Sequence, residues 1–509
     1  MGPIKALRHQ AETRPKGVAF IAGDDVWTYE RLAAEVERLA GGLVARGLRK
    51  GDRIALHMAN RPELIVAYYA CFQTGAIAAP LNNRFKTAEL TTLLQRLQPS
   101  LYIGQADLYS QAVAIDSSIL ASDIRFIVGG AVDDPRARPW ARLFGNALGK
   151  PVPAASDVQA PALLFATSGT TGQPKIVIHT LGTLAEIAES WKHLGLDGDQ
   201  VAIQARSMAH AGGLFTFLGS IRFGAPVILH EHFDPDAVLD AIERHQGTWI
   251  ALLPFMYVAL LNHQRAHARD VDSLRTCLAA GDVCSRQQQD QFLSVFGTPL
   301  RSYWASTEAF GSLSYGTVPG PVSRIVAGAQ VRLVNDSGTL VPRGEVGELV
   351  LRGSNVTIGY WAGPGLIEDA PKDGWFHTGD LMRQGEHDDL WFVSRKKDVI
   401  IRGGSNISPA EVERVLIAHP AVQDAAVVGV PDALFGQRVV GFVQLASGVP
   451  STVLDEIFAR VAEQLADYKV PESLNVVREI PRNTAGKIDR GMLLTMIPEY
   501  EDSEVFAIP

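Results

Sequence analysis

Leu163-Leu-Phe-Ala-Thr-Ser-Gly-Thr-Thr-Gly-Gln-Pro-Lys-Ile-Val-Ile-His-Thr180 joins two apolar runs by a hydroxyl- and glycine-rich stretch that closes on Lys175. Gly169 and Gly172 let the backbone turn sharply and bring its N–H groups toward an anion. Thr167, Ser168, Thr170 and Thr171 add hydroxyl donors, and Lys175 adds a positive charge. Phosphate is the anion such a loop suits. The usual P-loop pattern is excluded, because Gln173-Pro174 precedes Lys175 where that pattern has glycine, and Ile176 follows where it has Ser or Thr. The β-rich residues on both sides predict strand, loop, strand rather than strand, loop, helix, so a nucleotide would be held by a different fold. Alone, the stretch also fits a turn with no ligand.

At 509 residues the chain exceeds the ~250 to 300 that one core usually serves, so several domains or subdomains are expected. With 47% hydrophobic and 20% charged residues it has the composition of a soluble globular protein. The net charge of −8 disfavours a general nucleic-acid binder, which neutralises phosphates with clustered Lys and Arg. A polyanionic ligand must therefore be held locally. Cys71, Cys277 and Cys284 form neither a disulfide framework nor a zinc spacing, which points to a reducing, cytoplasmic setting. Met1 to Gln10 lacks the apolar core of a secretory signal, and no stretch reaches the ~18 apolar residues of a membrane span, so no integral membrane segment is expected.

Helices and short buried strands alternate through most of the chain. Trp27-Thr-Tyr leads into an apolar-periodic helix, Gly51-Asp-Arg-Ile-Ala-Leu reads as a strand, and a helix starts near Pro62. Further strands are predicted at Leu163 to Ala166, Ile176 to His179, Pro226 to Leu229, Trp249 to Leu253 and Leu278 to Ala280, the pattern of a layered α/β fold. Between about 313 and 395 short β runs at Gln330 to Val334, Gly347 to Leu351 and Leu390 to Val393 alternate with turn residues, as in a small barrel-like β subdomain. Arg395-Lys-Lys-Asp398 is a charged step between apolar strands and a candidate hinge. Beyond it, Ser408-Pro409 starts a helix, followed by strands near 425 to 430 and 439 to 445 and a helix from about 452 to 467.

Three further motifs carry chemistry. Trp304-Ala305-Ser306-Thr307-Glu308 places an aromatic face, hydroxyls and a carboxylate close together. That suits a base stacked on the ring and a Mg²⁺ on Glu308, since Mg²⁺ takes one or two carboxylates with phosphate oxygens. His377-Thr378-Gly379-Asp380 is expected to end a Trp-Phe strand, with Asp380 accepting both hydroxyls of a ribose. Ile480-Pro-Arg-Asn-Thr-Ala-Gly-Lys487 sets Lys487 on a glycine-containing turn from which its ammonium could swing onto a reacting phosphate. His230-Glu231-His232 reads as an exposed turn, and no transition metal is assigned.

In this order the motifs resemble the adenylate-forming superfamily, which includes acyl-CoA synthetases, firefly luciferase and the adenylation domains of peptide synthetases. The resemblance covers nearly the whole chain: the loop at 167 to 175, Trp-Ala-Ser-Thr-Glu where the family usually shows Tyr-Gly-x-Thr-Glu, His-Thr-Gly-Asp, Arg395 to Glu411, and Gly486-Lys487. It implies a large multi-subdomain α/β body over 1–394 that binds AMP and the acyl substrate, a hinge at 395–398, and a smaller mobile α+β domain over 399–509 that carries Lys487. It implies ATP, Mg²⁺ and coenzyme A as cofactors and a small carboxylic acid as substrate, and it is compatible with a homodimer. The implied reaction is that of an AMP-forming acid–thiol ligase: a carboxylate attacks the α-phosphorus of ATP to give an acyl adenylate and pyrophosphate, then a thiol displaces AMP. Both reactants of the first step are anions, so cations and aligned donors must offset their repulsion. Carried over residue by residue, Lys487, Glu308, Thr307 and His210 are catalytic, Thr307 lies on the α-phosphate side, Trp304 stacks on adenine, Asp380 and Arg395 hold the ribose, and Lys175 orders the loop. Lys397 falls at the pivot, and Gly403 and Gly404 face the pantetheine arm. Rotation of the small domain would withdraw Lys487 and admit the thiol.

Departures from the family pattern bear on the acid. Ile176 replaces the glycine usual after the loop lysine, and Ala305 replaces a glycine that lines the acyl tunnel in relatives, narrowing it. In Ser207-Met-Ala-His210-Ala-Gly-Gly213, Ala209 stands at the usual aromatic position, so only His210 carries over. The resemblance gives the pocket walls as His210, Gly213, Ala279, Ala280, Gly281, Ala305 and Phe310. None of these is a permanent cation, which favours an aromatic or medium-chain monocarboxylate over a dicarboxylate held by an ion pair. A stand-alone adenylation enzyme that loads a carrier protein and a luciferase-like oxygenase are the alternatives; Lys487, Glu308 and Asp380 argue against a catalytically dead binding protein.

Overall fold

A computed structural model describes residues 1–144, 152, 153, 155, 157–167, 175–402, 405–432, 435–483 and 486–497. The chain is mixed α/β and forms two compact units. The first comprises Met1–Cys284, Gln288–Val331 and Leu351–Phe376; the second comprises Ser285–Gln287, Arg332–Val350 and the chain from His377 onward.

Two large sheets organise the first unit. In the seven-stranded sheet the order is Leu300–Ser302, Thr276–Ala279, Trp249–Leu252, Ala202–Gln204, Val227–Leu229, Val18–Ala22 and Asp25–Thr28, parallel except for the last pair. The nine-stranded sheet is parallel around Arg53–His57 and turns antiparallel where Pro161–Thr167 pairs with Lys175–Thr180. That pairing is the strand, loop, strand expected around the glycine-rich stretch, with Thr167 opposite Lys175; residues 168 to 172 lie outside the described residues.

Both faces of these sheets are covered, which explains why their strands read as unbroken apolar runs. Ile54 and Leu56 enter one core cluster while Ala55, between them, enters another. Trp249 and Ala251 likewise join that first cluster while Ile250 and Leu252 join a third. The shared cluster also takes residues of the helices Pro62–Thr74 and Ala211–Phe223, each buried on almost every side. A helix that is apolar all round fits only inside such a core.

The second unit holds most of the neighbouring strands Asp389–Arg395, Phe376–Gln384, Val346–Arg352 and Gln330–Val334, the first two antiparallel, and a three-stranded sheet of Val422–Asp432, Gly436–Leu445 and Ser473–Val476. Alternation again assigns the faces: Ala425 and Val427 pack with the helix Pro409–Ile417, while Ala426, Val428 and Val430 pack with Ile480 and Leu493. The expected elements differ in one place that matters. His377-Thr-Gly-Asp380 begins a strand rather than ending one, because Phe376–Gln384 continues through Asp380–Gln384, which pair with Leu390–Arg395. Among the described residues no helix is long and apolar enough to cross a membrane.

Burial holds His57 in the first unit down to about 4, with its Nδ1 2.9 Å from the Tyr102 hydroxyl. Burial also lowers His179 and His230 to about 4. Between pH ~6.5 and 4 the unfolded chain therefore binds protons that the folded chain does not, so stability is full above that window and falls as the pH drops through it. Each such histidine steepens the fall by at most about 1.4 kcal/mol per pH unit. His57→Asn should flatten the slope of the urea midpoint between pH 7 and 5; an unchanged slope would show that His57 titrates alike in both states.

Candidate active site

The polar groups of the first unit gather where strands of the two sheets end. Asn60 follows the strand Arg53–His57, and its amide donates to the carbonyls of Arg206 at 2.8 Å and His230 at 3.0 Å. Its Oδ1 accepts from the Met208 N–H at 2.7 Å, and the Tyr68 hydroxyl donates to the Met208 carbonyl at 2.7 Å. The loop before His210 is thereby pinned. His210 stands at the N-cap of Ala211–Phe223, where its carbonyl accepts from Gly213 and Leu214. Gly213 is a close backbone approach rather than an open wall: a Cβ there would lie 2.2 Å from the Ser207 carbonyl oxygen.

Ala279 and Ala280 point to opposite sides, one into each of two core clusters, so they cannot line the same face. Gly281 has φ +92°, and a Cβ there would meet Leu253 at 2.7 Å. Phe310 is buried in an aromatic cluster, 4.7 Å from the Trp191 ring and 5.7 Å from Phe215. Ala305 packs at the edge of the shared core. A buried cation adjoins two of the residues expected as pocket walls. Arg206, 7% exposed, donates through Nη2 to the Gly212 carbonyl at 2.8 Å and to Thr216 at 2.9 Å, beside His210 and Gly213. Its burial escaped the sequence reading, since the groups that enclose it, Gly212 and Thr216, meet it only through the packing of the helix that follows.

The segment Trp304 to Glu308 has no regular structure and is held by its neighbours. The Trp304 N–H donates to Ser323 at 2.6 Å. The Thr307 carbonyl faces His179 Nε2 at 2.8 Å; burial keeps this imidazole neutral, and a nitrogen that faces a carbonyl carries the proton. Glu308 is fixed twice: its carbonyl accepts from the Thr357 N–H at 2.7 Å, and its Oε1 accepts from the Tyr360 hydroxyl at 3.2 Å. Burial, then the Glu308 charge, raises the Tyr360 phenol well above its ordinary value, so it stays a donor. Lys175 lies 4.5 Å above the Tyr360 ring with Nζ 3.3 Å from Asp369, and Thr167 Oγ1 donates to the Lys175 carbonyl at 3.2 Å. Tyr360 thus links the loop lysine to Glu308. His179, Thr357 and Tyr360 escaped the sequence reading, since each lies far along the chain from the residue it holds. One carboxylate aimed by a neutral phenol fits a Mg²⁺ whose other ligands are phosphate oxygens and water.

In the second unit the strand register sets Asp380 opposite Arg395, with Nε 3.5 Å from Oδ1. The Asp380 N–H donates to Thr378 Oγ1, which in turn donates to the Leu349 carbonyl. Lys396 pairs with Glu348 at 3.2 Å and Asp336 at 2.8 Å, while burial is the main cause that lowers the neighbouring Lys397. Lys487 sits where Arg482 and Ile488 bridge: its N–H donates to Asn483 Oδ1 at 3.1 Å and its carbonyl accepts from the Asn483 N–H at 2.8 Å. Arg482 fastens this turn to Asp424 at 2.6 Å. Gly403 and Gly404 lie outside the described residues, as do Ser168, Gly169, Thr170, Thr171 and Gly172 of the loop.

Residues 7–361 match the family model of AMP-binding enzymes and residues 411–487 that of the AMP-binding enzyme C-terminal domain. A feruloyl-CoA synthase from Amycolatopsis is 34% identical over 489 residues, which cover 95% of this chain and 96% of that protein. An indoleacetate–CoA ligase from Aromatoleum aromaticum is 32% identical, with 91% of each chain covered. The crystal structure of ATP-bound MatB from Rhodopseudomonas palustris superposes with a TM-score of 0.87 at 26% identity, covering 98% of this chain and 100% of that one.

Tyr360→Phe removes one hydrogen bond and keeps the ring beneath Lys175. It should cost about 0.5–1.5 kcal/mol of stability by urea unfolding and raise the Mg²⁺ concentration for half-maximal pyrophosphate release by about 3- to 10-fold. An unchanged Mg²⁺ requirement would show that the phenol does not aim Glu308.

Proposed function

This chain belongs to the AMP-binding enzyme family, and from that premise we propose that it couples the carboxylate of an aromatic or medium-chain acid to the thiol of coenzyme A at the expense of ATP. It is an AMP-forming acid–thiol ligase. The acid's carboxylate oxygen attacks the α-phosphorus, the bond to pyrophosphate breaks, and the CoA sulfur then attacks the acyl carbon while AMP leaves and the thiol proton passes to solvent. Feruloyl-CoA synthase, the indoleacetate ligase and a medium-chain fatty-acid ligase from Escherichia coli, 31% identical, support the breadth of that acid class.

The observation that carries the reading is the double anchoring of the Thr307–Glu308 segment, which gives an irregular stretch one conformation in which a carboxylate and a hydroxyl serve the phosphates. We assign Glu308 to Mg²⁺, which when bound offsets charge on the phosphates, and Thr307 to the α-phosphate. Lys175, with Thr167 and the hydroxyls and glycines of 168 to 172, grips the pyrophosphate side. Trp304 supplies the adenine face. Asp380, its carboxylate oriented by Arg395, takes the ribose hydroxyls. His210 lies on the acid side, Lys397 serves as the pivot, and Gly403 and Gly404 line the approach of the pantetheine arm. Buried Cys71, Cys277 and Cys284, their thiols raised by burial, suit a cytoplasmic enzyme.

Lys487 is the cation assigned to the adenylation step, and its backbone anchors leave the turn intact when the side chain is shortened. Lys487→Ala should lower pyrophosphate release by about 100- to 1,000-fold. Thioester formation from supplied acyl adenylate should stay close to wild type. Equal loss of both half-reactions would exclude a role confined to adenylation, and AMP release with a carrier protein but never with CoA would overturn the choice of acceptor.

A further inference from the structure

The environment of Arg206 lacks something the chain itself does not supply. The side chain is 7% exposed and runs beneath the first turn of Ala211–Phe223, with Nη2 on the Gly212 carbonyl at 2.8 Å and the Thr216 hydroxyl at 2.9 Å. The buried Tyr303 hydroxyl lies against the same guanidinium. All of these are neutral groups. The Nε is buried and has no hydrogen-bond partner among the described residues, and none of their carboxylates pairs with the charge.

Arg125 shows how the same fold seals an arginine that serves structure alone. It is 0% exposed. Its Nε donates to the Leu120 carbonyl, Nη2 to Ile115 and Leu120, and Nη1 to Ala112 and the Tyr109 hydroxyl, which itself donates to the Asp134 carboxylate. Every nitrogen of Arg125 is used. Arg206 instead keeps a donor and a full charge in reserve, and an unpaired buried charge is costly unless an acceptor completes it.

Its place in the fold says where the acceptor comes from. Asn60 holds the Arg206 carbonyl and Tyr68 holds Met208, so the backbone that carries the guanidinium is pinned, and Gly212 and Thr216 hold its Nη2. On one side is the loop that ends at His210; on the other is Tyr303, whose N–H donates to the Ala279 carbonyl at 3.1 Å and whose chain continues into Trp304 to Glu308. The guanidinium therefore lies among the residues assigned to the acid, on elements that also position the reacting end.

We propose that Arg206 is a specificity-determining residue that binds an oxygen acceptor on the acid remote from its reacting carboxylate, so that the preferred substrate is an aromatic or medium-chain acid with a second oxygen function. The inference rests on the acid-activating reading above. A hydroxyl, a keto oxygen or a second carboxylate supplies the shared chemistry, and Arg206 answers it with charge-assisted donors. A site built to hydrogen-bond such a group discriminates against the analogue that lacks it, because its own buried donor is then left unpaired.

The test uses the full chain with ATP, Mg²⁺ and CoA on matched acids: benzoate, the hydroxybenzoates and the benzenedicarboxylates; hexanoate, 6-hydroxyhexanoate and adipate. Pyrophosphate release gives kcat/KM, and thermal shift without ATP gives binding. At least one oxygen-bearing acid should exceed its plain parent by about 10-fold or more, and Arg206→Met should abolish that excess while the plain parent stays within about 3-fold. The hydroxyl and carboxylate arms identify which acceptor is used. Plain parents preferred by the wild type would overturn the proposal even if the variant does not fold, and so would an Arg206→Met enzyme that loses all acids alike. Arg206-dependent thermal stabilisation by oxygen-bearing acids with no pyrophosphate from any acid would instead sustain this site and overturn the acid-activating reading.

Discussion

The site of the first unit depends on an apolar wedge. The helices Pro62–Thr74 and Ala211–Phe223 are buried on nearly all sides in a core that both sheets share. Where strands end and helices begin, this apolar core gives way to polar groups. Asn60 and His210 stand at those two transitions, and Asn60 ties them together through Arg206, Met208 and His230. The loop assigned to the acid side is fixed by burial elsewhere.

The reaction joins two anions, so positive charge and aligned donors must be present before the substrates meet. The residues assigned to that task in the first unit are each held by a group from a distant part of the chain. His179 holds Thr307, Thr357 and Tyr360 hold Glu308, and Tyr360 with Asp369 holds Lys175. In the second unit the same logic works through strand register, which sets Asp380 against Arg395, and through Asn483, whose side-chain oxygen accepts from the Lys487 N–H while its own N–H donates to the Lys487 carbonyl. Neutral anchors suit this task. A neutral histidine and a neutral phenol orient a carbonyl and a carboxylate without cancelling the charges that the substrates need.

Much of this was legible in the residues. Glycines and hydroxyls around Lys175, the carboxylate after Thr307 and the lysine after Gly486 mark chemistry because few other arrangements use those residue types at that spacing. Strand positions were readable because Ile, Val, Leu and Phe repeat wherever both faces are covered. The strand that opens at Phe376 was misread as a strand that closes, since its apolar and polar residues are set by the partner at Asp389–Arg395 rather than by local preference. Gly213 and Ala279 read as pocket walls from their positions, yet one answers to a carbonyl packed against it and the other points into a core.

The sequence by itself determined the alternation of strands and helices, the family to which the chain belongs, and the order of its charged and hydroxyl-bearing motifs, because these follow from local composition and spacing. Only the tertiary structure decided which residues aim those motifs. His179 and Thr307 are separated by 128 positions, and Lys175 and Asp369 by 194. The same holds for the buried cation at Arg206. A single arginine in a sequence carries no sign of its burial, and only packing against Gly212, Thr216 and Tyr303 shows that its charge is enclosed and incompletely answered.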